Sequence, residues 1–162
     1  EGGCVTKWIQ PGSVLDVGCG TSRFGFISEY KGVDFSEPML EKAREKYPEN
    51  EYVQSDARDL PFDDNSFDNV ISTRLLMHID NWQEAVEEMH RVCKPGGRVI
   101  VDVKPQGVMS FLLRWRQKEL NKENLHMNVV DMSYFDKFDV IAEAHFPKLV
   151  PMTKFVVMEK ER

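Results

Sequence analysis

The sequence has 162 residues, 41% of them hydrophobic and 30% charged, a composition typical of one soluble globular domain with a sizeable core. Its formal net charge of −6 argues against a nucleic-acid partner, and no apolar stretch approaches the ~20 residues of a membrane span. The sequence shows no signal peptide, three widely spaced cysteines and no metal-ligand spacing of cysteine or histidine, which predicts a cytoplasmic protein without a metal site.

Apolar runs alternate with helical patterns through the first half of the chain. In chain order they predict strand, short helix, strand, helix, strand and strand. These segments are Ser13–Val17, Arg23–Tyr30, Gly32–Asp34, the helix between Ser36 and Pro48, Glu51–Ser55 and Phe67–Thr73. Ser36 is expected to cap the second helix, which ends at Pro48.

The second half continues this alternation. Asp80 and Gln83 predict a capping box for a helix whose apolar residues recur on one face. That inward-facing stripe consists of Trp82, Ala85, Val86, Met89 and Val92. The segments that follow are a helix stop at Lys94–Gly97, strand Arg98–Val103, a helix over Gly107–Leu120, and strands Phe138–Glu143 and Lys154–Glu159.

Strands that alternate with helices predict βαβ units and a mainly parallel sheet. The last two strands have no helix-length connection between them, so we expect them to be antiparallel to each other. The predicted fold is α/β, a seven-stranded mostly parallel sheet with one antiparallel strand near the C-terminus and helices on both faces. Ligands of such sheets bind outside the carboxyl ends of the strands.

Three features stand at those carboxyl ends: a glycine-rich loop after the first strand, Asp34 at the end of the second, and Asp56-Ala57 after the third, where a carboxylate with neighbouring backbone N–H groups can read the amino edge of adenine. The first strand leads into Asp16-Val17-Gly18-Cys19-Gly20, where two glycines allow a sharp turn and close approach of a ligand; a tight turn without a ligand is the alternative for this loop alone. Asp34 ends the second strand, where a carboxylate can accept both hydroxyls of a ribose. Arg23 stands where a dinucleotide fingerprint needs its last glycine, which disfavours a nicotinamide dehydrogenase.

Four motifs occur in order at suitable spacing. They are Val14–Thr21, Gly32–Ser36, Asp56-Ala57 with Leu60–Phe62 and Ser66–Asp68, and Arg91–Gly97. Together they resemble the class I S-adenosylmethionine-dependent methyltransferases, specifically methyltransferase type 11, which is related to the ubiquinone/menaquinone biosynthesis methyltransferases. The resemblance covers about residues 12 to 104 and implies a Rossmann-like fold.

The resemblance implies S-adenosyl-L-methionine as cofactor, with S-adenosyl-L-homocysteine as product, and a role for each matching position. The methionine part of the cofactor would lie against Asp16, Gly18, Cys19 and Gly20, and its sulfonium would lie against Thr73 and Arg74. The ribose and adenine would lie against Asp34, Phe35, Ser36 and Met39. The amino group of the adenine would lie against Asp56 and Ala57. Ser22 departs from the family, which commonly has a third glycine there.

Two further side chains are candidates for the chemistry. Arg23 either pairs with the cofactor carboxylate or is a solvated arginine. His78 is the best-placed general base, if the acceptor must lose a proton; a half-buried histidine in the loop before the helix is the commoner reading of such a residue.

The predicted function is methyl transfer from S-adenosylmethionine to a small-molecule acceptor by in-line attack on the sulfonium methyl. The alternative is a cofactor-binding module without its own activity, such as a regulatory partner. Residues 1–162 are expected to form a single domain that starts at Glu1 and lacks the N-terminal lid helices of the family. The sequence leaves open the acceptor and the oligomeric state.

Overall fold

The computed structural model describes residues 5–104, 130–146 and 153–161. These residues form a sheet of seven strands in the order β3-β2-β1-β4-β5-β7-β6. The strands are β1 (Val14–Val17), β2 (Tyr30–Asp34), β3 (Glu51–Gln54), β4 (Phe67–Ser72), β5 (Cys93–Val103), β6 (Asp139–Phe146) and β7 (Thr153–Glu159). Strand β7 is antiparallel to both β5 and β6, and the other pairs are parallel, which confirms the predicted fold class.

A helix covers each face of the sheet. Helix α1 (Glu37–Lys46) buries Leu40 in a cluster with Val14 of β1 and Ile71 of β4. Helix α2 (Trp82–Val92) packs on the other face, where its predicted stripe is fully buried against alternate residues of the same strands. Burial of such aliphatic and aromatic side chains contributes about 1.5–3 kcal/mol each and fixes the sheet between the two helices.

Three local predictions are wrong, among them the Ser36 cap of α1, because the Ser36 side chain makes no capping hydrogen bond. The predicted helix Arg23–Tyr30 is a series of turns, and Tyr30 already belongs to β2. Residues 18–29 connect β1 to β2, and positive φ angles at Gly20, Ser22 and Glu29 break the right-handed helical conformation within this connection. The predicted capping box is also absent, because the residue before α2 is Asn81 in a left-handed conformation (φ 53°) without a side-chain cap.

The C-terminal part of the sheet completes the architecture. Residues Met132–Lys137 form a 3₁₀ helix that Asp131 caps by accepting a hydrogen bond from the Ser133 N–H at 3.0 Å. The helix predicted over Gly107–Leu120 lies outside the described residues. Within the described part of the chain, no helix is both long and apolar enough to cross a membrane. The same residues contain no group of three or more histidine, cysteine or acidic side chains that could hold a metal ion.

Candidate functional site

The loop after β1 is held against the end of β2 by its backbone. The N–H groups of Gly18 and Cys19 both donate to the Val33 carbonyl, at 2.8 and 2.9 Å. Gly18 and Gly20 adopt positive φ angles of 75° and 53°, which favour glycine. A Cβ at Gly18 would meet the Leu75 side chain at 3.0 Å, whereas a Cβ at Gly20 would meet no atom within 4 Å. The loop is therefore packed at Gly18 and faces open space at Gly20.

Asp34 joins this loop to the start of helix α1. Its Oδ2 accepts a hydrogen bond from the Gly20 N–H at 2.8 Å, and its Oδ1 accepts one from the Ser36 N–H at 2.9 Å. Ser36 occupies the predicted N-cap position of α1, but its own side chain makes no capping hydrogen bond. An ionised carboxylate can accept about four hydrogen bonds, so Asp34 retains acceptor capacity for a ligand.

Asp16 lies beneath the loop and is buried, with a relative exposure of 2%. Its Oδ2 accepts a hydrogen bond from the Tyr30 hydroxyl at 2.8 Å, while its Oδ1 is buried and has no hydrogen-bond partner among the described residues. Burial raises the pKa of Asp16 to about 7, the Tyr30 hydrogen bond opposes this rise, and the nearby charge of Asp34 adds to it. A buried, unpaired carboxylate oxygen beside a glycine-rich loop is suited to bind a cationic group.

A group of hydroxyls surrounds this carboxyl. Ser22 is buried and has a positive φ of 55°, a conformation that favours glycine over other residues. Its Oγ accepts a hydrogen bond from the Tyr52 hydroxyl at 2.9 Å and also interacts with the Tyr30 hydroxyl. The departure from the family at Ser22 therefore places a hydroxyl where glycine would have none.

Two apolar side chains are exposed next to Asp34. Phe35 has a relative exposure of 75% and Met39, in the first turns of α1, has 43%. Both lie at the same edge of the sheet as the glycine-rich loop, because β1 and β2 are parallel and end together. Exposed aromatic and thioether groups beside a polar anchor offer a surface on which a planar ring can stack.

Asp56 follows β3 and is engaged locally. Its carboxylate accepts hydrogen bonds from the Arg58 backbone N–H at 2.9 Å and from the Arg58 guanidinium at 2.9 and 2.6 Å. These bonds to Arg58 lower the pKa of Asp56. Ala57 is partly buried and packs against the core that contains α2. Arg58 therefore fixes the orientation of the Asp56 carboxylate in the absence of a ligand.

A cavity of about 200 Å³ lies beyond the ends of β4 and β5. It is lined on its polar side by Thr73 and Arg74 after β4, by Asp102 and Lys104 at the end of β5, and by Arg23. The Arg74 N–H donates to Oδ1 of the buried Asp102 at 2.6 Å, and Arg74 has a positive φ of 60°. Backbone strain of this kind persists where the surrounding structure fixes it and is common at functional sites.

His78 lies in the loop between β4 and α2. Its side chain is exposed, whereas Leu76 and Met77 before it are buried, and Met77 lines the 200 Å³ cavity. Its backbone N–H donates a hydrogen bond to the Leu75 carbonyl at 2.8 Å. The structure therefore places His78 on the loop that borders the site, without bringing its ring against another predicted site residue.

Tyr30 and Asp102 were missed by reasoning from the sequence. Asp102 carried a signal, because it is the only acidic residue in the otherwise apolar second half of the predicted strand Arg98–Val103. Tyr30 carried no comparable signal, since its contact with Asp16 depends on the register in which Val14 pairs with Tyr30. The predicted site residues lie at the carboxyl ends of β1 to β4: Asp16 and Asp34 are at the ends of β1 and β2, Met39 is in α1, and the others are in the segments that follow the strands.

Comparison with known proteins identifies a family to which this chain belongs. The family model described as a methyltransferase domain, type 11, matches residues 15–101, which is more than half of the chain. A demethylmenaquinone methyltransferase from Staphylococcus epidermidis is 43% identical over a match that covers 59% of this chain and 44% of that protein. The chain thus spans less than half of the length of the curated relatives that it matches.

Solved structures share the fold over nearly the whole chain. The PH0226 protein from Pyrococcus horikoshii OT3 superposes with a TM-score of 0.80 at 25% identity, covering 99% of this chain and 87% of that one. Magnesium protoporphyrin IX methyltransferase from Synechocystis PCC 6803, solved with bound S-adenosylhomocysteine, has a TM-score of 0.77 at 16% identity and covers 98% and 78% of the two chains. The second likeness shows the shared fold alone.

Proposed function

Since the chain belongs to the type 11 methyltransferase domain family, we propose that it binds S-adenosylmethionine at the glycine-rich loop and transfers its methyl group to a small-molecule acceptor. The observation that carries this proposal is the loop itself, which is open at Gly20, is bound there by Asp34 and follows the strand end where Asp16 keeps an unpaired Oδ1. The two carboxyl groups are suited to two polar parts of the same ligand, its ribose and its ammonium.

The residues present fit this cofactor. An ammonium would satisfy the buried Oδ1 of Asp16, which no described residue satisfies. The ribose hydroxyls would bind Asp34, which keeps acceptor capacity beyond its two backbone hydrogen bonds. The exposed side chains of Phe35 and Met39 would cover the sugar and the adenine ring, and Asp56 with Ala57 would lie at the adenine amino group.

The acceptor side of the site is the cavity beyond β4 and β5. When bound, the cofactor supplies a methyl group on a sulfonium that is already a good donor. The role of the protein is then to hold the methyl donor and the acceptor in line and to exclude water, which is catalysis by proximity and orientation. Thr73 and Arg74 border this cavity directly after β4, and the Asp102 carboxylate fixes the Arg74 backbone there.

Proton removal is needed only for an acceptor that must lose a proton during the attack. His78, exposed in the loop that borders the cavity, is our candidate for that general base. Arg23 also lines the cavity and is our candidate to pair with the carboxylate of the cofactor.

Turnover by the full chain tests this proposal. The chain is incubated with S-adenosylmethionine and a panel of small phenols, amines and thiols, and S-adenosylhomocysteine is measured with the methylated acceptor. We expect S-adenosylhomocysteine and the methylated acceptor to form only when an acceptor is present. The variant Asp136→Asn, which changes an exposed residue, is the control and should have the same activity. Binding of S-adenosylhomocysteine without methylation of any panel member would support a cofactor-binding module and overturn the proposed activity.

A further inference from the structure

The hydroxyl group of Tyr30 connects two parts of the site that are distant in sequence. Tyr30 is the first residue of β2 and pairs with Val14, but its side chain reaches forward to Asp16, where the hydroxyl donates to Oδ2 at 2.8 Å. Tyr30 is buried, with a relative exposure of 5%. On its other side the hydroxyl interacts with Ser22, which in turn accepts from the Tyr52 hydroxyl at 2.9 Å.

This arrangement leaves the Asp16 carboxylate with one engaged and one unengaged oxygen. A carboxylate held through Oδ2 cannot rotate without losing a buried hydrogen bond, and such a loss is costly because water cannot replace the donor. Oδ1 is then fixed in direction although no described residue binds it. The geometry resembles the way in which orienting residues hold a ligand group of a metal or catalytic site.

We propose that Tyr30 is a positioning residue for cofactor binding, which holds the Asp16 carboxylate through Oδ2 so that Oδ1 faces the ammonium of S-adenosylmethionine. This inference rests on the proposed function, because it assigns the ammonium to Asp16. Tyr30 is supported by the Tyr52 ring, which meets it edge-on at 6.2 Å between ring centroids, and the Tyr52 hydroxyl donates to Ser22 at 2.9 Å.

The protonation of Asp16 provides a readout that a merely structural tyrosine would not affect. Burial raises the pKa of Asp16 to about 7, and the Tyr30 hydrogen bond lowers it. The other titratable groups that face Asp16 are Asp34, whose charge raises the pKa further, and the Cys19 thiol, whose own pKa is raised by burial. Because protonation removes the charge that attracts an ammonium, affinity is retained above this pKa and falls below it.

Calorimetry with S-adenosylhomocysteine, which keeps the ammonium, tests this inference on the full chain between pH 6 and 9. For the unaltered chain we expect about tenfold weaker binding at pH 6 than at pH 8, from a pKa of about 7. In Tyr30→Phe we expect about tenfold weaker binding at pH 7.5, since the Asp16 carboxylate has lost its hydrogen-bond donor. For the same reason we expect the midpoint of the pH dependence of binding to move to higher pH. Methylthioadenosine, which lacks the amino-acid part, should bind both proteins equally.

Matched variants separate positioning from a general loss of structure. Tyr134→Phe removes another tyrosine hydroxyl, which donates to the Gln83 carbonyl at 3.0 Å on α2, and should leave both affinities unchanged. In an Asp16→Asn background, Tyr30→Phe should add little, because the two residues act as one unit. If Tyr30→Phe does not fold, Tyr52→Phe carries the test and should shift the midpoint in the same direction by a smaller amount.

Three results would overturn the inference. They are unchanged binding of S-adenosylhomocysteine by Tyr30→Phe, an equal loss for methylthioadenosine, and additive effects of the Tyr30 and Asp16 substitutions. Failure of the proposed function looks different, because the unaltered chain would then bind neither adenosine compound at any pH.

Discussion

At the scale of single residues, Ser22 shows how a substitution within a loop can add a function and a cost together. A non-glycine residue in the left-handed region costs about 1–2 kcal/mol relative to glycine. Here that residue is buried at φ 55°, and its hydroxyl accepts from Tyr52. The hydrogen bonds of the hydroxyl offset part of the backbone strain, so the loop keeps its shape without the glycine that the family commonly has.

Two substitutions at Ser22 separate these contributions. Ser22→Ala keeps the strained backbone and leaves the Tyr52 hydroxyl without its acceptor, so we expect it to lower the free energy of unfolding by about 1–2 kcal/mol. Ser22→Gly also loses the hydroxyl but relieves the strain, and we expect it to be about 1 kcal/mol more stable than Ser22→Ala. Urea unfolding measures both. An alanine variant as stable as the glycine variant would show that φ at this position carries no strain.

At the scale of elements, the connection between β1 and β2 departs most from the expected helix. It has no helix, and of its two phenylalanine side chains one is buried and one is exposed. Phe24 has a relative exposure of 1% and joins the cluster that contains α1, while Phe26 has 63%. Two turn hydrogen bonds lie within the connection, from the Ser22 N–H to the Cys19 carbonyl and from the Ile27 N–H to the Phe24 carbonyl, and the buried ring of Phe24 anchors it to the core.

This division predicts opposite outcomes for two similar truncations. Phe24→Ala removes a fully buried ring and is expected to lower the free energy of unfolding by about 3–5 kcal/mol. Phe26→Ala removes an exposed ring and is expected to change it by about 0.5 kcal/mol or less. Chemical denaturation of both variants checks the pair. Equal destabilisation by the two substitutions would mean that the connection packs differently.

The elements also show where reasoning from sequence succeeds. Helix α2 was predictable because Trp82, Val86 and Met89 form a stripe that burial alone explains. The outcome for Arg23–Tyr30 was not predictable, because Phe24, Ile27 and Tyr30 have helical spacing in the sequence although Tyr30 is the first residue of a strand. A local pattern does not reveal the positive φ angles at Ser22 and Glu29 that interrupt a helix in this connection.

Some residues of the candidate site could likewise be predicted from the sequence and others could not. Gly18, Gly20 and Asp34 were predictable, because a glycine-rich turn and an acidic strand end are visible in the sequence. The hydroxyl chain from Tyr52 to Asp16 was not, since it joins three segments whose contacts depend on the strand register. The pairing of Asp56 with Arg58 had a local signal in two opposite charges at close spacing.

At the scale of the whole molecule, the strand order places the site. The chain proceeds outward from β1 through β2 to β3, and then returns to β4 on the other side of β1. The order reverses between β1 and β4, and open α/β sheets bind ligands at this point, outside the carboxyl ends of the strands. Asp16 and Thr73 lie on the two sides of the reversal. The proposed donor half therefore lies over β1 to β3 and the acceptor cavity over β4 and β5.

The central claim is that the loop after β1 and Asp34 form a cofactor site, and calorimetric titration of the full chain with S-adenosylhomocysteine tests it most directly. We predict micromolar-range binding that is at least about tenfold weaker in Asp34→Asn, which loses a carboxylate oxygen for the ribose and for the Gly20 N–H. The exposed Asp136→Asn should bind like the unaltered chain. No binding by the unaltered chain, or equal binding by Asp34→Asn, would contradict the account.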